Sequence, residues 1–292
     1  MEMAPNTILT GASGWFGQAF IYSFIKIYGY KNIDSLCLLT SDGRDIHHKV
    51  LDYTFRTSSL ENYVTSKKID LFVQAAFLTR DKINLYGKNE YKKINYKIIE
   101  DTKNLSDALK PSIRVLISSG AVNHENDLYG QIKSFEEKSV INCKSSTRAI
   151  FRVYGALGIN TPLLDWSAIS DLISSSNKFD VISLKSKTNV VRGYVSFEKL
   201  AHLILKISAS NLKNREIILS AVEHSNSLNE IATIIAQIGK SKFYNDDINF
   251  KRLPNIYSAD PTKFINILKE FDIKRTSIYE DISQTMISPH LQ

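Results

Sequence analysis

Thr7-Ile8-Leu9-Thr10-Gly11-Ala12-Ser13-Gly14-Trp15-Phe16-Gly17 is the stretch that decides the fold of this 292-residue chain. Its first four residues are apolar or β-branched, the composition of a short buried strand. From Phe16 onward the apolar side chains Phe16, Phe20, Phe24 and Ile27 recur on one helical face, which predicts a helix over 16–28. Three glycines spaced G-x-x-G-x-x-G therefore join a strand to a helix. The first supports turn angles that other residues avoid. The second lets the main chain approach a pyrophosphate, whose charge is favoured at a helix N-terminus. The third lets helix and strand pack closely. A glycine triplet alone says little, but between a strand and an amphipathic helix it predicts a dinucleotide phosphate loop.

Outward from this loop, short apolar runs alternate with amphipathic stretches. Residues 35–40 and 70–75 read as strands with a helix between them, 95–109 as a helix stopped by Pro111, 113–118 as a strand, 129–141 as a helix and 147–153 as a strand. Such alternation predicts an α/β chain with a Rossmann doubly wound parallel sheet. Beyond Tyr154 the pattern loosens into short strands at 181–184 and 217–220 and helices at 228–238, 261–271 and 277–286. The expected organisation is a nucleotide-binding core over 1–154 and a smaller, mostly helical substrate lobe over 155–292, with some elements returning to the core. The lobe is expected over the carboxyl edge of the sheet, where open α/β sheets take their ligands.

Composition narrows the class. With 43% hydrophobic and 23% charged residues the chain is ordinarily globular, which excludes disordered and fibrous classes. The net charge of +7 comes from scattered lysines without a polybasic block, so a solvated surface is expected and a nucleic-acid partner is not. No apolar run approaches the roughly 18 residues a membrane helix needs, and residues 1–10 lack a secretory pattern. A cytoplasmic protein with no membrane partner is the expectation. Of the two cysteines, Cys37 lies in an apolar run and reads as a core thiol. No Cys/His spacing suggests a metal site.

Tyr129-x-x-x-Lys133 places a phenol and an ammonium one helical turn apart. A phenol with pKa near 10 is a weak base, and a nearby cation stabilises its phenolate. Such a pair can deliver a proton to a carbonyl oxygen as hydride reaches the carbon. Tyr22/Lys26 and Tyr63/Lys67 share the spacing, but only Tyr129 follows an apolar strand ending in Ser118-Ser119-Gly120-Ala121-Val122.

Together the T-G-x-x-G-x-x-G loop, the S-S-x-x-V segment, and Tyr129-Gly130-x-x-Lys133-x-x-x-Glu137 resemble the short-chain dehydrogenase/reductases. Arg192-Gly193-Tyr194-Val195-Ser196-Phe197-Glu198-Lys199-Leu200-Ala201 resembles R-x-[YF]-[IV]-x-V-x-D-[LV]-A of their extended branch, the nucleotide-sugar-modifying NAD-dependent epimerase/dehydratase family. The resemblance runs from Thr7 to about Thr285. It implies cofactor contacts at Gly11, Ser13, Gly14, Trp15, Phe16 and Gly17, and at Thr40 and Ser41 ending the second strand. Asp52, after the third strand, matches an adenine-contacting Asp. Ala75 and Ala76 match the small-residue turn along the cofactor, and Asn95 an Asn that shapes the site; for these a structural role is equally open. Ser119 would hold the substrate oxygen, Tyr129 move the proton, and Lys133 also grip the nicotinamide ribose. Arg192 would clamp a substrate diphosphate, since a guanidinium fork meets phosphate oxygens in two parallel bonds. A homodimer through two helices per subunit is the family expectation.

The second strand ends Leu39-Thr40-Ser41-Asp42-Gly43-Arg44. No acid stands at the tip itself to take a ribose 2′-hydroxyl, and Arg44 is near enough to meet a 2′-phosphate, so NADP is favoured, with NAD as alternative. Ser119 and Tyr129 are ten positions apart, a shorter loop than sugar-modifying relatives usually carry. It holds Asn123-His124 in place of a Tyr-Gly, and His124 is a candidate substrate contact. Gly155 replaces a substrate-contacting Asn. Gly120-Ala121 replaces the Asp-Glu pair used to eliminate water, which argues against dehydration. The expected activity is NADP(H)-dependent reduction of a nucleotide-linked 4-keto(-6-deoxy) sugar. The alternatives are a nucleotide-sugar 4-epimerase with tightly held NAD and a non-enzymatic NAD(P)-binding sensor, which would tend to lose the Tyr-Lys pair.

Overall fold

The computed structural model describes residues 3–124, 126–143, 145, 147–162, 167–178, 181–184, 186–210, 214–244 and 252–288. Contacts divide the chain into two compact units, Met1–Arg152 with Leu200–Leu219, and Val153–Lys199 with Ser220–Gln292.

The first unit is built on a seven-stranded sheet. Its strands are β1 (Thr7–Thr10), β2 (Leu36–Thr40), β3 (Ser58–Ser59), β4 (Leu71–Gln74), β5 (Ile113–Ser119), β6 (Thr147–Val153) and β7 (Glu216–Ala221). They lie in the order β3-β2-β1-β4-β5-β6-β7. The pairings β1–β2, β1–β4, β2–β3 and β4–β5 are parallel, with Thr7 opposite both Leu36 and Leu71. This is the Rossmann order, and the chain reverses direction of travel across the sheet between β1 and β4. The crevice at the carboxyl ends of those strands is the topological switch point. β1, β4 and β5 are buried along their whole length, as continuous apolar strands covered on both faces must be.

The described residues also form eight α-helices: α1 (Trp15–Tyr28), α2 (Lys82–Leu109), α3 (Leu128–Ile141), α4 (Ala168–Lys178), α5 (Phe197–Ala209), α6 (Leu228–Gly239), α7 (Thr262–Glu270) and α8 (Ile278–Ile287). None among the described residues is long and apolar enough to cross a membrane. α2 begins well before the predicted residue 95 and breaks at Gly87, where φ is 73°. Its buried stripe is Tyr91, Asn95, Ile99, Thr102 and Ser106. Three of these five are polar, which is why an apolar pattern captured only the later turns.

The helix expected between β2 and β4 is absent among the described residues. In its place stands an antiparallel hairpin, Ile46–His48 against Tyr53–Phe55, followed by β3. Ile46 and His48 are buried with His47 between them exposed. That period of two belongs to a strand and not to a helix. Cys37, expected as a core thiol, is only half-buried.

The second unit carries a small sheet beside its helices. Its strand Val190–Ser196 pairs antiparallel with His224–Ser227 and parallel with Asn255–Tyr257 and Ala156–Leu157. Helices α4, α6 and α8 join this strand in one core, through Ile169, Ile173, Tyr194, Ile231, Ile235 and Ile282. The strands at 156–157, 224–227 and 255–257 escape a pattern because each offers two apolar residues or none.

Candidate active site

The glycine loop after β1 closes against the end of β4. Gly11 has φ of 70°, and a Cβ built on it would lie 2.6 Å from the Ala76 nitrogen and 2.7 Å from the Ala75 carbonyl carbon. Only glycine meets both conditions. The Thr10 hydroxyl accepts hydrogen bonds from the Ala75 and Ala76 amides at 3.2 and 3.3 Å, which ties β1 to β4 at their carboxyl ends. Ser13 and Gly14 are exposed, and Trp15 opens α1, whose N-terminus has no side-chain cap and no acid in its first turn. An uncapped helix start with a glycine cradle fits an anionic pyrophosphate. Phe16 and Gly17 point the other way, into the core.

The loop after β4 continues from Ala75-Ala76 into Phe77, and Asn95 holds it there. The buried Asn95 accepts from the Leu78 amide at 2.9 Å and donates to the Tyr91 carbonyl at 3.2 Å. Its role is therefore to fix the loop. Phe77 in turn meets both members of the Tyr-Lys pair. Its ring stands edge-on to Tyr129 at 5.5 Å between centroids, and the Lys133 ammonium lies 3.8 Å from its centroid. Arg80 from the same loop stacks on Tyr129 with its guanidinium 5.4 Å from the ring centroid, and pairs with Asp127. Phe77 and Arg80 were not singled out in the sequence because neither belongs to a motif.

Ser119 ends β5 and caps the short 3₁₀ turn Gly120–Asn123, its hydroxyl accepting from the Ala121 amide at 3.2 Å. α3 packs directly on that turn. A Cβ on Gly130 would lie 2.1 Å from the Ala121 carbonyl oxygen, so the glycine following Tyr129 is what lets the helix reach the Ser119 segment. Lys133 is buried; its ammonium donates to the Ile117 carbonyl at 3.2 Å and to Glu136 at 2.8 Å. Glu137, the last residue of the motif, is fixed by bidentate bonds from Arg152 at 2.9 and 2.7 Å and by the Ser118 hydroxyl at 2.6 Å. The glycine loop, Ala75-Ala76, Phe77, Tyr129, Lys133 and Ser119 thus follow one another as a single wall of the first unit. Tyr22 and Lys26 lie on α1, and Lys67 donates to the Asp34 carbonyl at 2.9 Å. His124 is exposed in the turn between Ser119 and Tyr129.

One cofactor assignment changes, and another gains a partner. Asp52 was placed after the third strand, but the third strand of the sheet is Ser58–Ser59, and Asp52 sits in the turn of the preceding hairpin. Its side chain is 95% exposed and 3.7 Å from His47. Nothing there places it beside the sheet, so the adenine role does not stand. Arg44 does lie just past Thr40 and Ser41, but it is not a lone cation. Its guanidinium donates to Asp42 at 2.5 Å. Bonds from the Arg44 backbone and side chain hold the Asp42 carboxyl below its ordinary value. The Thr40 hydroxyl shapes this tip by accepting from the Gly43 amide at 2.9 Å.

In the second unit, Arg192 is half-buried on strand 190–196. One of its nitrogens donates to the Val191 carbonyl at 2.9 Å and to the Asn255 carbonyl and side chain, both at 3.0 Å. No carboxylate pairs with it among the described residues, and burial holds it below its ordinary value. Gly155 has no room for the family's Asn, because a Cβ there would lie 2.7 Å from the Gly193 carbonyl oxygen. Lys199 occupies the place of the Asp in the R-x-[YF]-[IV]-x-V-x-D segment. It is buried against Glu223 at 2.5 Å, Thr276 at 2.6 Å and Asp281 at 3.7 Å.

A parallel sheet with a glycine loop at its switch point, and a Ser-Tyr-Lys set on the same unit, define the class: the fold is the Rossmann doubly wound fold. Comparison with solved structures bears this out over nearly the whole chain. UDP-N-acetylglucosamine 4-epimerase from Methanobrevibacter ruminantium superposes with a TM-score of 0.71 at 14% identity, covering 98% of both chains. An NAD-dependent NDP-hexosamine 5,6-dehydratase of tunicamycin biosynthesis gives 0.71 at 11% identity, covering 96% of both chains. UDP-glucose 4-epimerase from Thermotoga maritima gives 0.69 at 14% identity, covering 96% of this chain and 97% of its own. No family model and no curated protein sequence matches the chain. At these identities the likeness is one of fold.

Proposed function

We propose that this chain is an NADP(H)-dependent reductase of a nucleotide-linked 4-keto(-6-deoxy) sugar. The observation that carries the reading is the wall on which Tyr129 and Lys133 share Phe77 while Gly11 closes on Ala75-Ala76. A nicotinamide cofactor bound along that wall supplies hydride to a carbonyl carbon. The Ser119 hydroxyl holds the carbonyl oxygen by donating to it. Tyr129 gives that oxygen its proton, and the phenolate left behind is stabilised by the Lys133 ammonium. The ketone becomes an alcohol, gaining one hydride and one proton. Gly120 and Ala121, which follow Ser119, offer no acid or base for loss of water. For the second unit we propose that the Arg192 guanidinium meets the diphosphate of the substrate. Arg44 would leave Asp42 to meet a cofactor 2′-phosphate.

The test is to supply a dTDP- or UDP-linked 4-keto-6-deoxyhexose with excess NADPH and follow nicotinamide absorbance. Stoichiometric consumption is expected, and Tyr129→Phe should lower turnover by about 100- to 10,000-fold while cofactor binding persists. A second reading, a 4-epimerase with tightly held NAD, is favoured by the presence of 4-epimerases among the fold relatives. Inversion at C4 of an ordinary hexose nucleotide with catalytic cofactor would decide for it. Cofactor binding with neither reaction would point to a non-enzymatic sensor.

A further inference from the structure

Glu136 is a group that the Ser-Tyr-Lys chemistry does not use, yet it is bonded directly to that set. It lies on α3, three residues past Lys133, and its side chain is 0% exposed. The Lys133 ammonium donates to its Oε2 at 2.8 Å. The Gln74 side chain, at the end of β4, donates to its Oε1 at 2.7 Å. The Gln74 oxygen accepts in turn from the fully buried Arg114 on β5 at 2.8 Å. The polarity of this chain is set by chemistry. Ammonium and guanidinium can only donate, so Gln74 must turn its oxygen to Arg114 and its N–H to Glu136. Every donor in the chain therefore converges on one carboxylate. A neutral carboxyl would set its own proton against one of those donors.

Two cations thus share one buried anion, Lys133 directly and Arg114 through an amide. Burial pushes the Glu136 carboxyl above its ordinary value, and Lys133, the Gln74 N–H and Arg114 oppose that push without cancelling it. The other charged groups nearby are committed elsewhere: Glu137 to Arg152, and Arg80, which covers Tyr129, to Asp127. Cys143 and Asp107 face Arg114. The ammonium itself is held on three sides, by Glu136, by the Ile117 carbonyl and by the Phe77 ring.

We propose that Glu136 is the positioning residue of this site: it seats the Lys133 ammonium and offsets its charge, so that Tyr129 faces a compensated ion pair and not a bare cation. The proposal rests on the reading of Tyr129 as proton donor. A compensated lysine stabilises a phenolate less than a bare one. That suits a tyrosine which must keep its proton until a carbonyl oxygen takes it.

The experiment needs no substrate. Ionisation of Tyr129 in the full-length protein is isolated as the tyrosinate absorbance of each protein minus that of its Tyr129→Phe counterpart, titrated with pH. Glu136→Gln should move this ionisation to lower pH by about half a pH unit or more, since it leaves the lysine charge uncompensated. Lys133→Met alone should move it up by a similar amount. The double variant Lys133→Met/Glu136→Met replaces both charges with apolar side chains, a change that buried pairs often tolerate, and should return close to the unmutated value. An unmoved ionisation in folded Glu136→Gln, or a double variant that tracks Lys133→Met, overturns the proposal; the latter decides even if Glu136→Gln does not fold. Normal turnover in Tyr129→Phe would instead sink the functional reading, and the ionisation shifts would still report on Glu136.

Discussion

Lys133 and Lys199 are both buried against carboxylates, with side chains 5% and 8% exposed, yet their surroundings differ. Lys199 is enclosed by Glu223, Asp281 and the Thr276 hydroxyl, and Asp281 is further bonded to His224 at 2.9 Å. Glu223, His224 and Asp281 are residue types that bind metals, but the ammonium already stands among them. One ammonium meets two anions, the half-exposed Arg275 also lies 3.7 Å from Glu223, and the knot joins the first turn of α5 to the start of α8. Lys133 has a single carboxylate, shared with Arg114, and looks past Phe77 towards the half-exposed Tyr129. Burial therefore does not distinguish a structural lysine from one proposed to serve the chemistry. The number of anions around it, and whether a titratable group remains within reach, does.

The largest effects should separate the two lysines. Lys133→Met is expected to lower turnover by about 100- to 10,000-fold in steady-state kinetics. Lys199→Met should instead lower stability by about 3–5 kcal/mol in denaturant unfolding, because it strands two buried carboxylates. A Lys199→Met protein of normal stability without turnover would break the comparison.

An acid titration sharpens it. Burial pushes the Asp281 carboxyl up, but the bonds from His224 and Thr276 and the charge of Lys199 outweigh it and hold the group below its ordinary value of 3.8. A depressed carboxylate contributes stability that is present above its unfolded value and lost as pH falls through the folded one. Thermal melting should therefore show this contribution intact near neutrality and fading below about pH 4. Asp281→Asn should lower the melting temperature at neutral pH and flatten that acid limb. An unchanged limb would mean the knot carries no net stabilisation.

The smallest effect belongs to an exposed pair. Arg44 and Asp42 are 86% and 42% exposed, and solvent screening leaves such a pair little net attraction. NADPH should bind more tightly than NADH by no more than about tenfold. Asp42→Asn should widen that margin by freeing the guanidinium, and Arg44→Ala should erase it. Calorimetric titration of both nucleotides measures each margin; equal affinities in the unmutated protein would remove the role given to Arg44.

What the sequence by itself determined is what local spacing encodes. The strand-loop-helix from Thr7 to Tyr28 was legible because its glycines and apolar face lie within a few turns of one another, and β5 with α3 was legible for the same reason, so Ser119, Tyr129 and Lys133 could be named before their surroundings were known. Gly130 carried a motif without its reason, the carbonyl of Ala121. Tertiary structure alone decided the rest. The hairpin at 46–55 displaced a helix and took Asp52 away from the sheet, because the pairing that fixes a strand lies outside its own segment. Gln74 and Glu136 are 62 positions apart, Arg114 and Gln74 40, and Lys199 and Thr276 77. A buried charge is tolerable only where such distant partners meet it, and periodicity along the chain carries no record of them.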